Sequence, residues 1–221
     1  IPHDPALALN GNVTLEAWVR PESFTNTYST LFHKVSGGGG TDATFEVHVV
    51  SNGAIWAGTR RPDGGWTSAQ TTGGRVALGE WTHVAVVFDR TAGELRIYAN
   101  GALALSQAMP VTLAASNDGP ITIGRYMSEA GSVQMFDGAI DEVRLWAVAR
   151  AGDEIAADYN RALTGTETGL RVWLPFESLA GDTTPNAGPT ATAVRIANLN
   201  PTGITGTIEG VGQERLYTFT L

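Results

Sequence analysis

Trp66 stands among Arg60, Arg61 and Asp63 in a stretch rich in glycine, threonine and arginine. An aromatic ring stacks on the apolar face of a sugar, and charged forks hydrogen-bond its hydroxyls. This quartet is therefore the best candidate for recognising a glycan. Tyr28 and Trp56 could join it, although Trp56 lies in an alternating run where core packing is the simpler reading. For Trp66 an exposed anchor and a cover over the core are both open. Trp18, Trp81, Trp146 and Trp173 fall in strand-like runs and read as core or sheet-face residues.

Acid–base chemistry has a thinner basis. Glu46 and His48 share one strand face, two residues apart, a spacing that allows a zinc or proton-transfer role. A retaining or inverting glycosidase needs two carboxylates across a scissile bond. Glu46 has no second carboxylate on its strand. His3, His33, His48 and His83 contain no close metal-spaced pair, and His83 lies in an apolar strand, where a buried structural imidazole is the plain reading. No G-x-S-x-G, Walker or dinucleotide fingerprint occurs. With no cysteine in the chain, thiol chemistry and disulfides are excluded.

Asp141 is the most informative single acid. It has the parity of Val143 and Leu145, which predicts that it points toward the side those residues bury. A carboxylate there must be paired, hydrogen-bonded or bound to a metal. The 221-residue chain carries a net charge of −8, which disfavours nucleic acid or an anionic membrane as a partner and suits a cation or a neutral ligand. No apolar run is long enough to span a bilayer.

The elements that must position these residues are short strands. Val13–Arg20, Thr44–Val50, Glu94–Ala99, Ile121–Gly124, Ala139–Trp146 and Leu170–Phe176 read as strands, several with clear period-two alternation, and Trp81–Phe88 is apolar on both faces, as a central strand is. Asn100-Gly101 between two alternating runs predicts a type I′ hairpin. One helix is expected over Asp153–Leu163, where Ile155, Tyr159 and Leu163 share a face. The four-glycine segment Ser36–Thr41 and the Arg60–Gly74 stretch read as loops. Residues 1–200 form one domain on this reading. Residues 201–221 are a carboxyl-terminal extension, the start of a following module or a last strand of the same sandwich. Ile1 opens in mid-pattern, as a chain cut from a longer polypeptide would.

Taken together, Asn12-Val13-Thr14-Leu15-Glu16-Ala17-Trp18-Val19-Arg20-Pro21, then Gly79-Glu80-Trp81-Thr82-His83-Val84-Ala85 with Leu95-Arg96-Ile97-Tyr98-Ala99-Asn100-Gly101, then Ile121-Thr122-Ile123-Gly124 and Phe136–Trp146, occur in the order of laminin-G-like jelly rolls. The chain resembles the laminin G-like and pentraxin-like branch of the concanavalin A-like fold over roughly residues 1–190. The resemblance implies an all-β, two-sheet antiparallel jelly-roll sandwich with one short helix and a shortened or missing first strand. It also implies a structural calcium held by an aspartate at the head of a late strand. Here that is Asp141, with oxygens from the loop around Asn10, Gly11 and Asn12, since calcium accepts carbonyls and waters beside one carboxylate. Asp42 and Glu129 occupy places similar to pentraxin calcium ligands, but the loop after Ile121–Gly124 carries only Glu129 as an acid, and Arg125 would repel a cation.

The function expected from all this is a non-catalytic binding or adhesion module of a larger extracellular, bacterial protein. It would be stabilised by calcium and would meet a glycan or another protein through rim loops. The competing expectations are a polysaccharide-cleaving sandwich enzyme and a purely structural spacer.

Overall fold

The computed structural model describes residues 1–24, 27–34, 44–61, 65–109, 119–127, 133–178, 183–190, 194–195, 209–211 and 214–216. Thirteen strands carry the fold: β1 (Val13–Pro21), β2 (Tyr28–Lys34), β3 (Glu46–Val50), β4 (Ile55–Arg60), β5 (Trp66–Gln70), β6 (Thr82–Asp89), β7 (Glu94–Ala99), β8 (Ala102–Ala108), β9 (Ile121–Ile123), β10 (Arg125–Met127), β11 (Val133–Met135), β12 (Gly138–Trp146) and β13 (Leu170–Leu174). Eleven of them build a six-stranded antiparallel sheet in the order β13-β12-β1-β6-β7-β8 and a five-stranded one in the order β5-β4-β3-β2-β9, and β10 and β11 pair with each other. Period-two alternation sends one set of side chains from each sheet into a shared core. Val13, Leu15, Ala17 and Val19 meet it from β1, Val84, Val86 and Phe88 from β6, and Val47, Val49, Ile55 and Ala57 from the five-stranded sheet. Phe45 and Phe88 stack across it with ring centroids 6.2 Å apart.

Asn100 and Gly101 both take positive φ, 49° and 76°, and join β7 to β8 in the I′ geometry expected of that dipeptide. A Cβ on Gly101 would lie 2.7 Å from the Tyr159 ring, so glycine is required there twice over.

The helix is shorter than its periodicity predicts. α1 spans Gly152–Asp158, and Tyr159 is its C-cap. The Tyr159 carbonyl accepts the Trp18 indole N–H at 2.9 Å. Leu163, expected on the same helix face, is instead buried beside Trp146 and Leu170. Arg60–Gly74 is also not one loop, because β5 lies inside it. Cross-strand pairing with β4 from Trp56↔Gln70 to Arg60↔Trp66 makes it an edge strand. The Ser36–Thr41 segment, read as a loop from its sequence, lies outside the described residues. Glu209–Val211 and Glu214–Leu216 pair with each other in a ladder outside both main sheets.

α1 and its flanking segments cover the outer face of the six-stranded sheet. Ala85, Val87, Tyr98 and Ile155 close an apolar cluster there. Beside it lies a buried set of charges. Glu16 Oε1 is 3.0 Å from Arg150 Nη1, and Glu16 Oε2 lies 3.8 Å from Arg144 and 3.5 Å from His83 Nε2. Arg150 also grips Asp158 of the helix, and Arg144 donates to Glu142 and to the carbonyls of Asp158 and Arg161. Burial alone would raise the Glu16 pKa, but the neighbouring His83, Arg150 and Arg144 outweigh it and hold the carboxyl below its usual value. Burial pushes the His83 imidazole down, so it is the neutral member of the group.

Breaking such a network by removing one partner leaves a buried charge without compensation. Arg150→Ala strands Glu16 and frees the helix end at once. It should lower the stability measured by urea unfolding at pH 7 by about 3–5 kcal/mol. A loss under about 1 kcal/mol would mean that the network is not what fastens α1.

Candidate functional site

The outer face of the five-stranded sheet carries the chemistry. Its register arranges outward side chains in rows across the strands. One row runs Thr122, His33, Glu46, Gly58, Ser68, and the next runs Thr30, His48, Trp56, Gln70. Arg60 and Trp66 form the end pair. A register shift between Thr30 and Phe32 in β2 puts Thr30 and His33, three apart, on the same face.

Glu46 is the centre of the polar half. His48 Nε2 lies 3.1 Å from Oε2 and His33 Nε2 lies 3.4 Å from Oε1, so each carboxylate oxygen faces one imidazole. Burial would raise its pKa, yet the hydrogen bonds and charge of His33 and His48 prevail and bring it to about 2. With Nε2–H donating to Glu46, His48 presents Nδ1 as an acceptor, and the Thr30 hydroxyl is 3.1 Å away to donate. This hydroxyl–imidazole–carboxylate chain resembles a nucleophile relay in composition, but Thr30 is fully buried, out of a substrate's reach. The Tyr126 ring meets His33 edge-on at 4.5 Å. Burial raises the Tyr126 pKa, Glu46 adds to the rise and Arg60 opposes it, so the phenol senses both charges.

The aromatic half adjoins it. Trp56 lies 6.0 Å from Trp66, 5.2 Å from His48 and 6.3 Å from Tyr28, ring centroid to centroid. Arg60 stacks over Trp66 at 5.3 Å. Gly58 makes room for this: a Cβ there would lie 2.5 Å from the Trp56 ring edge. Tyr28, Trp56, Arg60, Trp66 and Tyr126 are all half-buried, with the remainder of each open to solvent.

The structure thus brings together Trp66, Arg60 and Tyr28 of the expected ligand set, on a sheet face and not in a loop. Arg61 sits at the β4–β5 connection with its guanidinium against Gly65, and Asp63 lies outside the described residues. Trp56, expected in the core, belongs to the platform instead, because its parity with Gly58 and Arg60 turns it outward. Glu46 and His48 were legible as a pair, whereas His33 and Tyr126 were not expected at all.

Of the expected calcium ligands, the two described ones, Asp141 and Asn10, do not come together. A bulge at Glu142, whose φ is +48°, reverses the parity of β12, so Asp141 stands opposite Trp18 and away from Val143 and Leu145. Its Oδ1 accepts the Glu142 N–H at 2.8 Å. Asn10 precedes the other end of β1, roughly 20 Å away at about 3.3 Å per residue. Its carbonyl accepts the Arg90 guanidinium, which sets positive charge where a cation would stand. Asp42 and Glu129 lie outside the described residues. Among the described residues no group of three or more acidic, histidine or cysteine side chains is placed to hold a metal ion, and no helix is long and apolar enough to cross a membrane.

Residues 1–156 match a laminin G-type family model described as the concanavalin A-like lectin/glucanases superfamily. No curated protein sequence shows significant similarity to the chain. Among solved structures it is similar to a Bacteroides ovatus protein provisionally assigned to carbohydrate binding, with 19% identity and a TM-score of 0.64 over 80% of this chain and 50% of that one. The chain therefore spans half the length of that relative. It is also similar to the CBM40 domain of the Ruminococcus gnavus IT-sialidase, which was solved with α2,3-sialyllactose. That match has 16% identity and a TM-score of 0.58 and covers 70% of this chain and 90% of that one. A heptameric pentraxin of Limulus polyphemus follows at 17% identity and a TM-score of 0.50, covering 66% and 68%. At these identities the likeness establishes the fold.

The Glu46 clamp has a pH signature. A carboxyl depressed from 4.5 to about 2 contributes stability that is fully present above pH 4.5 and is lost as the pH falls through 2. Glu46→Gln should lower the urea midpoint at pH 7, and the gap to the parent protein should close progressively between pH 4.5 and 2. A gap that stayed constant over that range would show that the charge of Glu46 is not what the histidines hold.

Proposed function

The chain belongs to the concanavalin A-like lectin/glucanases superfamily, and from that premise we propose that it is a non-catalytic glycan-binding module of a larger extracellular, bacterial protein. The observation that carries the proposal is the half-exposed aromatic strip of Tyr28, Trp56 and Trp66, set beside polar groups on the outer face of the five-stranded sheet. Aromatic rings offer a flat apolar surface of the size of a pyranose face. Ser68, Gln70, Tyr126 and Arg60 surround them with hydrogen-bonding groups. The neighbours provisionally assigned to carbohydrate binding or solved with sialyllactose support the same class of ligand. A protein ligand is the second reading, since a botulinum neurotoxin binding domain of similar fold was solved in complex with rat synaptotagmin II.

The enzyme reading is weaker on specific grounds. No second carboxylate occupies a described register position on the face around Glu46. Both Glu46 oxygens already face imidazoles, which leaves the group poorly placed to act as nucleophile or acid.

Trp66→Ala should weaken binding to whichever polysaccharide the protein retains in affinity gel electrophoresis. The expected loss is about 2 kcal/mol, roughly thirtyfold in Kd, with the melting temperature nearly unchanged because Trp66 lies on an edge strand. Retained binding would move the site off this face. Calcium is a separate proposal, as a structural ion, and rests on the resemblance to calcium-binding sandwiches. Added calcium should raise the melting temperature over that in EDTA, since a hundredfold excess over Kd adds about 2.7 kcal/mol of stability. Identical melting in the two solutions would remove calcium from the account.

A further inference from the structure

Four arginines of this acidic chain are held by carboxylates, and Arg60 is not one of them. Arg96 meets Asp89 and Glu94, Arg144 meets Glu142, Arg150 meets Glu16, and Arg161 meets Asp158. Arg60 has no acid partner among the described residues. Its guanidinium rests on the face of Trp66, and its Nε is buried without a hydrogen-bond partner. A buried donor left unmade is a cost, and it calls for a partner that is present in the working state. Stacking on an indole orients the planar guanidinium while leaving its N–H edge, Nε included, without a hydrogen bond. That edge matches a carboxylate in two parallel hydrogen bonds.

We propose that the platform is built for a carboxylated sugar, a uronic or sialic acid residue whose carboxylate is held by Arg60 while its ring lies along Trp66 and Trp56. The inference rests on the glycan-binding reading above and names the ligand class for that same face. Glu46 stays ionised on the same face but directs its oxygens elsewhere. Its pairing partner is Gly58, two residues along β4 from Arg60, and its oxygens are turned to His33 and His48. Tyr126 feels both Glu46 and Arg60 and keeps its proton at neutral pH, so its hydroxyl is a donor beside the bound anion.

The test uses isothermal titration of the intact protein at 0.15 M salt with two acid–neutral pairs. A uronate trisaccharide is set against the same trisaccharide reduced at its carboxyls, and sialyllactose is set against lactose. The expected result is that one acidic ligand binds about tenfold or more tightly than its neutral counterpart, and which pair responds identifies the source of the carboxylate. Arg60→Gln should abolish that preference while leaving the melting temperature in place, and Arg60→Lys should restore only part of it. Equal affinities within both pairs, or a preference that survives Arg60→Gln, would overturn the carboxylate assignment and leave the aromatic platform standing for neutral sugars. If none of the four ligands binds and Trp66→Ala leaves the retention of other polysaccharides unchanged, the platform reading fails as well.

Discussion

A two-layer sandwich commits every second residue of each strand to one shared core, and everything else about this molecule follows from what becomes of the residues left facing outward. The six-stranded sheet spends its outer face on the rest of the chain. α1 and its tail lie across it, and Glu16, Arg144, Arg150 and Asp158 compensate one another beneath them. The arginines also donate to the carbonyls of Glu154, Asp158 and Arg161, so the charges fasten the backbone of the covering segment. The five-stranded sheet has no such helix over it among the described residues. Its outward groups are half-open aromatics and a clasped carboxylate, and the proposed ligand site is set on this face for that reason.

The clasp on Glu46 is informative about what this face can do. A carboxylate taken largely out of water is stable only when its lone pairs are engaged, and here one imidazole faces each oxygen. The group is thereby fixed, charged at neutral pH and occupied. It holds β2 against β3 through side chains and orients His48 toward Thr30. Such a carboxylate shapes a surface better than it exchanges protons. The hydrogen-bonding capacity left for a ligand sits instead at Tyr126, Arg60 and the polar residues of β5.

The alternation of β1 and β3 and the Asn100-Gly101 turn were readable directly, because period-two hydrophobicity and the positive φ of a I′ turn are local properties. What was not readable depended on single-residue irregularities. A shift in β2 brings His33 to the face of Thr30 against its parity, and the bulge at Glu142 turns Asp141 out of the side its spacing indicated. Composition also misled. Gly65, Thr67 and Ser68 look like loop residues, yet β5 pairs along its length with β4, and strand pairing decided the matter over propensity. Trp56 looked like core because an alternating run does not say which parity is dry. That is settled only when Val47 and Ala57 are seen together inside. Trp66, Arg60 and Tyr28 were recognised for their chemistry, but their common address on one sheet face required the register.

A net charge of −8 and an anionic ligand are not in conflict, because the two act over different distances. At physiological salt the Debye length is about 8 Å. The summed acidity of the surface therefore reaches an approaching glycan mainly as a modest slowing of encounter. At contact the field is set by the nearest groups, and on this face those are a guanidinium without an acid partner and a carboxylate already hydrogen-bonded to two imidazoles. A chain of net charge −8 also discourages indiscriminate binding of polyanions, which need several cations in a row to hold on. What such an arrangement favours is a single carboxylate presented at a fixed position on a ring that can stack, so the repulsive surroundings and the attractive centre together define the selectivity.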